Sequence, residues 1–121
     1  MKFRYYIDSA HQLKDSDSLT TKKCLGLHGH TYAIDIWIKA EFLDDGFIID
    51  FGKLKEILNE FDHKNLNEII GENSTAEVLA HELFNKLTEE VASDAFGRKI
   101  EKVGVCEGYK GEDSANWIFY D

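Results

Sequence analysis

The chain has 121 residues, 43% hydrophobic and 31% charged, which is room for one domain with one modest core. Its net charge of −9 argues against a general nucleic-acid binder, which needs a basic face to displace counterions. A small anionic ligand stays open, because local potential rather than net charge governs a pocket. No apolar run approaches the roughly 20 residues that span a bilayer, and the N-terminus enters strand-like alternation with no signal-peptide architecture. The expectation is a cytoplasmic protein without membrane or nucleic-acid partners. Cys24 and Cys106 are too few for a disulfide framework, so reduced thiols are the default.

In residues 3–13 the odd positions Phe3, Tyr5, Ile7, Ser9, His11 and Leu13 oppose the polar Lys2, Arg4, Asp8 and Gln12. That period of two predicts a half-buried strand, and the polar stretch 14–23 reads as a loop. A second strand is predicted from the even positions His28, His30, Tyr32, Ile34, Ile36, Ile38, Ala40 and Phe42, facing away from Asp35, Lys39 and Glu41. Asp45-Gly46 is a turn signal, and residues 47–49 can extend the sheet beyond it.

Asp50 reads as the N-cap of a helix whose apolar stripe is Phe51, Leu54, Ile57, Leu58 and Phe61. Ser74 with Glu77 three residues later is a capping-box pattern. It opens a second helix with the stripe Leu79, Leu83, Phe84, Leu87 and Val91. Two final strands are expected at 99–107 and 115–120. The order β-β-α-α-β-β, with no repeat, linker or proline, predicts a single α+β domain over 1–121 built on an antiparallel sheet. Two helices cover one face only, yet the other carries residues such as Trp37, so oligomerisation is the natural cover.

His28-Gly29-His30 carries the chemistry. Positions i and i+2 of a strand share a face about 7 Å apart, close enough for two imidazoles to converge on one zinc ion. His11 lies at the end of the first strand on its apolar face, so pairing of the two strands brings three imidazoles together. Three nitrogen ligands without an obvious fourth leave a position open, as catalytic zinc sites do. Gly29 lets another group approach closely. Taken singly, each histidine is more simply read as a satisfied core or edge residue, and only the three together on apolar strand faces bring the metal reading level with it.

Cys24 lies four residues before His28 and follows Lys22 and Lys23, whose charges lower a thiol's pKa. Asp62-His63 is a carboxylate–imidazole pair suited to proton transfer. A helix-terminal histidine stabilised by the dipole is the simpler reading of that pair alone. Glu107 shares a face with Val103 and Val105, where a guanidine-like ligand edge or solvent would satisfy it. His81 reads as solvated surface and Cys106 as packing.

The set Ser9-Ala10-His11, Cys24-Leu25-Gly26-Leu27-His28-Gly29-His30, Phe47-Ile48-Ile49-Asp50-Phe51 and Phe61-Asp62-His63-Lys64-Asn65-Leu66-Asn67 resembles the 6-pyruvoyltetrahydropterin synthase family. The three-residue gap between Cys24 and His28 is similar to its 6-carboxytetrahydropterin synthase branch, which works in queuosine precursor synthesis. A folate-linked branch carries Glu where Cys24 stands here.

The resemblance implies a tunnelling fold (T-fold): a four-stranded antiparallel sheet with two helices on one face, three subunits closing a barrel, and two trimers forming a homohexamer with active sites at subunit interfaces. It implies zinc on His11, His28 and His30, Cys24 as catalytic thiol, Asp62 with His63 as proton relay, and Glu107 as the anchor of the pterin. The implied reaction converts 7,8-dihydroneopterin triphosphate to 6-carboxy-5,6,7,8-tetrahydropterin with release of acetaldehyde and triphosphate. Triphosphate elimination to a pyruvoyl product, or a non-catalytic zinc-stabilised pterin-binding scaffold, are the alternatives. Two departures from the family pattern stand out: Gly108 follows Glu107 where Thr is usual, and Asn73-Ser74-Thr75 replaces Asn-Pro-Thr.

Overall fold

In the computed structural model, residues 1–13, 26–92, 95–114 and 116–121 are described. Strands β1 (Lys2–His11), β2 (His28–Lys39), β3 (Lys99–Glu107) and β4 (Trp117–Tyr120) form one antiparallel sheet in the order β1-β2-β3-β4. Between β2 and β3 lie helices α1 (Phe51–Asn59), α2 (Leu66–Ile70) and α3 (Ala76–Val91). The predicted α+β architecture and strand alternation hold, with the five-residue α2 added between the two expected helices.

The core forms where the two periodicities meet. Phe3, Ile7, Ile34, Ile36, Ile38, Ile100, Val103 and Val105 pack under Leu54, Ile57, Leu58, Leu79, Leu83 and Leu87, and all are buried. In β3 the inward positions 100, 103 and 105 break strict alternation. The pairing shifts between Trp37 and Ile38, whose partners are Lys102 and Ile100, and this bulge returns Ile100 to the core face.

The opposite face is held by charge and aromatic stacking. Arg4 grips the buried Asp35 with two bonds of 2.6 and 2.8 Å, and its guanidinium lies 5.0 Å from the Trp117 ring. That pairing raises the Arg4 pKa still further, so the guanidinium is permanently charged. Lys102 sits 4.3 Å from the Phe119 ring centre and 4.8 Å from that of Trp37. Tyr6 and Phe119 remain about half exposed.

Several local expectations are corrected. Strand β2 ends at Lys39 rather than Phe42, because the Glu41 and Phe42 N–H groups turn to the Phe96 carbonyl. Residues 47–49 do not extend the sheet; Phe47 pairs only with Asp44 across the Asp45-Gly46 turn. Asp50 caps α1 as expected, accepting from the Gly52 N–H. At α3, however, Thr75 is the cap, accepting from Val78 N–H, and the Ser74 hydroxyl is buried without a partner among the described residues. His81 is exposed but stacks on Tyr120, with ring centres 4.5 Å apart. Within this fold no described helix is long and apolar enough to cross a membrane.

Candidate metal centre and active site

The β1–β2 register sets His11 directly opposite His28, with Ser9 opposite His30. Because His11 is inward on β1 and the even positions are inward on β2, all three imidazoles share the core face at the open end of the strand pair. Their donor nitrogens lie within 4.8 Å of one another. His11 is fully buried, while His28 and His30 are half-buried. The clustering predicted from His-Gly-His and the strand-end His11 is therefore present.

Hydrogen bonds orient two of the rings. His11 Nδ1 donates to the Ser74 carbonyl at 2.7 Å, and His28 Nδ1 donates to the Gly26 carbonyl at 2.7 Å. A carbonyl oxygen can only accept, so both Nδ1 atoms carry the proton and both Nε2 atoms present a lone pair when the rings are neutral. Those Nε2 atoms face each other at 3.0 Å. Glu107 adds a carboxylate oxygen 3.2 Å from His11 Nε2 and 3.6 Å from His30 Nε2.

So many electron-rich atoms at these distances require a cation between them, either an added proton or a metal ion. A tetrahedral zinc with nitrogen ligands at ~2.0–2.1 Å spaces those nitrogens about 3.3 Å apart, so the donor set fits this metal. Burial, reinforced by the neighbouring histidines and opposed by Glu107, pushes the His30 pKa below its ordinary 6.5. Neutral imidazole, the metal-binding form, is thereby favoured.

Glu107 ends β3 directly opposite Tyr32 and is partly exposed. Together with His11, Thr75, Glu77 and Asn116 it lines a cavity of about 250 Å³ at the start of α3. Tyr32 lies in the same β2 row as His28 and His30. Its side chain is fully buried and its hydroxyl lacks a partner among the described residues. Burial first, then the charge and hydrogen-bonding reach of the Glu107 carboxylate, raises its pKa.

Asp62 and His63 are not at a helix end, since α1 stops at Asn59. They sit in a turn laid along the free edge of β1. His63 adopts a left-handed φ of 55°, its N–H donates to the Asp8 carbonyl at 2.7 Å, and the Asp62 carboxylate accepts from the Asp8 N–H at 2.8 Å. Ser9 Oγ donates to the Phe61 carbonyl, and residue 65 bridges Ala10.

Asp62 Oδ2 is 3.0 Å from His63 Nδ1, which makes the expected carboxylate–imidazole pair, and the helix-dipole account of His63 falls away. The pair joins the exposed Asp8 on the outer face of β1, opposite to His11. His63 is 78% exposed and borders an open cleft with Asp8, Thr31 and Lys64 that also reaches Gly29 and His30.

Cys24, with Lys22 and Lys23, falls outside the described residues. Among the described residues Gly29 meets no close neighbour, since a Cβ there would touch only the Ser9 carbonyl at 3.8 Å. Gly108 has φ +68°, a conformation that β-branched residues resist, and this gives a physical reason for glycine where the family usually has Thr. Three residues escaped the sequence reading. Ser74 acts through its carbonyl, which leaves no side-chain signal. Tyr32 and Asp8 were legible as neighbours in strand rows, but alternation alone assigns them no role.

The family model described as 6-pyruvoyl tetrahydropterin synthase matches residues 1–121. A dihydroneopterin monophosphate aldolase from Pyrococcus furiosus is 28% identical over 119 residues, covering 95% of both chains. A putative 6-carboxy-5,6,7,8-tetrahydropterin synthase from Archaeoglobus fulgidus is 36% identical over 90 residues, covering 71% of this chain and 72% of its own. The Caenorhabditis elegans 6-pyruvoyl tetrahydropterin synthase structure superposes with a TM-score of 0.69 at 24% identity, over 99% of this chain and 92% of that one, which establishes the tunnelling fold. With the histidine cluster at the strand ends and a family match running from end to end, the chain belongs to the 6-pyruvoyl tetrahydropterin synthase family.

Proposed function

We propose that the chain is a zinc-dependent synthase converting 7,8-dihydroneopterin triphosphate to 6-carboxy-5,6,7,8-tetrahydropterin, with release of acetaldehyde and triphosphate. The observation that carries the proposal is the convergence of three imidazole nitrogens within 4.8 Å beside a carboxylate, on a chain that the pterin synthase family matches throughout. Bound to His11, His28 and His30, zinc supplies Lewis acidity toward the side-chain oxygens of the substrate.

The protein's own residues then divide the remaining work. Glu107 accepts paired N–H bonds from the pyrimidine edge of the pterin, charge-assisted and therefore strong. Cys24, as thiolate, removes a side-chain proton. His63, oriented by Asp62, carries protons to and from the substrate. Its position on the outer face of β1, away from His11, supports an active site completed by the relay of a second copy. Such a site fits the homohexamer, a dimer of trimers, that the family resemblance implies.

A second reading is favoured by the aldolase matched over 95% of both chains. Here the same centre would split the C1′–C2′ bond of a dihydroneopterin monophosphate. The alcohol proton at C2′ would pass to a base as the C2′ carbonyl forms, and C1′, left with the bonding pair, would take up a proton, giving a phosphorylated two-carbon aldehyde and a 6-hydroxymethyl pterin. Both readings break the side chain and differ in the aldehyde released. The test is turnover of the zinc-loaded protein beside Cys24→Ala, with products identified by mass spectrometry. Acetaldehyde and a 6-carboxypterin from the wild type, and loss of turnover with zinc retained in the variant, are expected. Full turnover by Cys24→Ala would refute this division of labour.

A further inference from the structure

The β2 row that holds two of the three histidines continues to Tyr32, whose hydroxyl makes no hydrogen bond among the described residues. The side chain is fully buried, and Oη has no hydrogen-bond partner among the described residues. Its ring stands edge-on to His11 and His30, with ring centres 6.1 and 5.8 Å apart. Phenylalanine would fill the same space without burying an unpaired hydroxyl, so packing alone does not explain a tyrosine.

The strand register names its partner. Tyr32 is paired with Glu107 across β2 and β3, which makes them direct cross-strand neighbours on one face. Here the Glu107 carboxylate lies close enough to act on the Tyr32 hydroxyl yet forms no hydrogen bond of full geometry with it, and one oxygen sits 3.2 Å from His11 Nε2 and 3.6 Å from His30 Nε2. Neutral His11 already offers Glu107 a lone pair rather than a proton, and a metal ion on the three nitrogens excludes the added proton that could otherwise bridge them to the carboxylate. Glu107 then needs a new donor, and its cross-strand neighbour Tyr32, whose hydroxyl already feels the Glu107 carboxylate, offers one.

We propose that Tyr32 is a positioning residue for the pterin site: its hydroxyl donates to Glu107 when the histidine centre is occupied and holds the carboxylate edge toward the ligand. The inference rests on the reading of Glu107 as the pterin anchor. Tyr32 touches neither metal nor substrate. It fixes one Glu107 oxygen, leaving the carboxylate rotationally set for paired N–H donors.

The test is a double-mutant cycle on zinc-loaded protein, titrated with 7,8-dihydroneopterin, which lacks the phosphates, and read by fluorescence. Tyr32→Phe should weaken binding about 10-fold in the native background, the usual scale for a bond to a charged group. In the Glu107→Ala background the same change should have less than about a twofold effect. Zinc affinity, from chelator competition, should stay within about twofold, and the metal-free melting temperature should not fall. A crystal structure of the zinc-loaded wild type should show Tyr32 Oη within about 3 Å of a Glu107 oxygen.

Equal weakening in both backgrounds, no weakening in either, a lowered metal-free melting temperature, or a Tyr32–Glu107 separation above about 4 Å would each overturn the proposal. Wild type that takes up zinc but binds no dihydroneopterin would instead refute the pterin reading. In that case the crystal distance still decides the hydrogen bond itself.

Discussion

His28→Ala separates the metal's contribution from that of the fold, because of how His28 is held. Its side chain donates to the Gly26 carbonyl at an exposed edge, whereas His11 is fully buried and bonds the Ser74 carbonyl. Truncating His28 in the metal-free protein should therefore cost about 0.5–1 kcal/mol, one modest hydrogen bond. Removing its Nε2 also relieves the 3.0 Å approach to His11.

Zinc at 100 times its dissociation constant stabilises the native state by about 2.7 kcal/mol. With an unfolding entropy of about 2.1 cal/mol/K per residue over 121 residues, that raises the melting temperature by about 10 °C. Differential scanning fluorimetry with and without zinc should show this rise in the wild type. In His28→Ala the rise should collapse to about 2 °C or less at the same zinc concentration, with a metal-free melting temperature within about 4 °C of wild type. His11→Ala should lose the zinc response as well, but from a lower metal-free starting point, since it orphans a buried carbonyl. A His28→Ala protein that keeps the full zinc shift would refute the three-histidine centre.

Two further outcomes follow from the same geometry. His30 has a folded pKa below 6.5, so the unfolded chain binds its proton first as pH falls. Its contribution to metal-free stability is present above 6.5 and is lost as pH drops below that value and through the folded pKa; His30→Asn should flatten the fall in urea midpoint over that acid range, and an unchanged slope would exclude His30 as its source. Gly108→Thr, which restores the family's usual residue, should destabilise the protein by about 1–2 kcal/mol at φ +68° in urea denaturation, and an unchanged midpoint would show that the turn accepts a β-branched residue.

What the sequence made legible was the part set by local periodicity. Alternation in β1 and β2 placed His11, His28 and His30 on one face, and antiparallel pairing brought them together without further information. Asp50 announced α1 through capping chemistry, and of its stripe Leu54, Ile57, Leu58 and Phe61 are buried as the spacing required, while Phe51 in the first turn stays half exposed. The failures lie where tertiary contacts override local signals. Phe42 continues the apolar row of β2, but the Phe96 carbonyl captures the backbone N–H and ends the strand. Ser74 fits a capping box, yet its carbonyl serves His11 and the cap passes to Thr75. The Asp62-His63 turn depends on hydrogen bonds to Asp8, more than fifty residues earlier, which no local pattern reveals.

The most direct measurement is what the zinc-loaded protein makes from 7,8-dihydroneopterin triphosphate, with the carbonyl co-product trapped as its hydrazone and the pterin identified by mass spectrometry. Acetaldehyde together with a 6-carboxytetrahydropterin is the predicted result. A pyruvoyl product with triphosphate but no aldehyde, or a phosphorylated two-carbon aldehyde from the monophosphate substrate alone, would contradict the proposed reaction while keeping the centre catalytic. No turnover of either substrate with zinc bound would contradict the enzymatic reading itself.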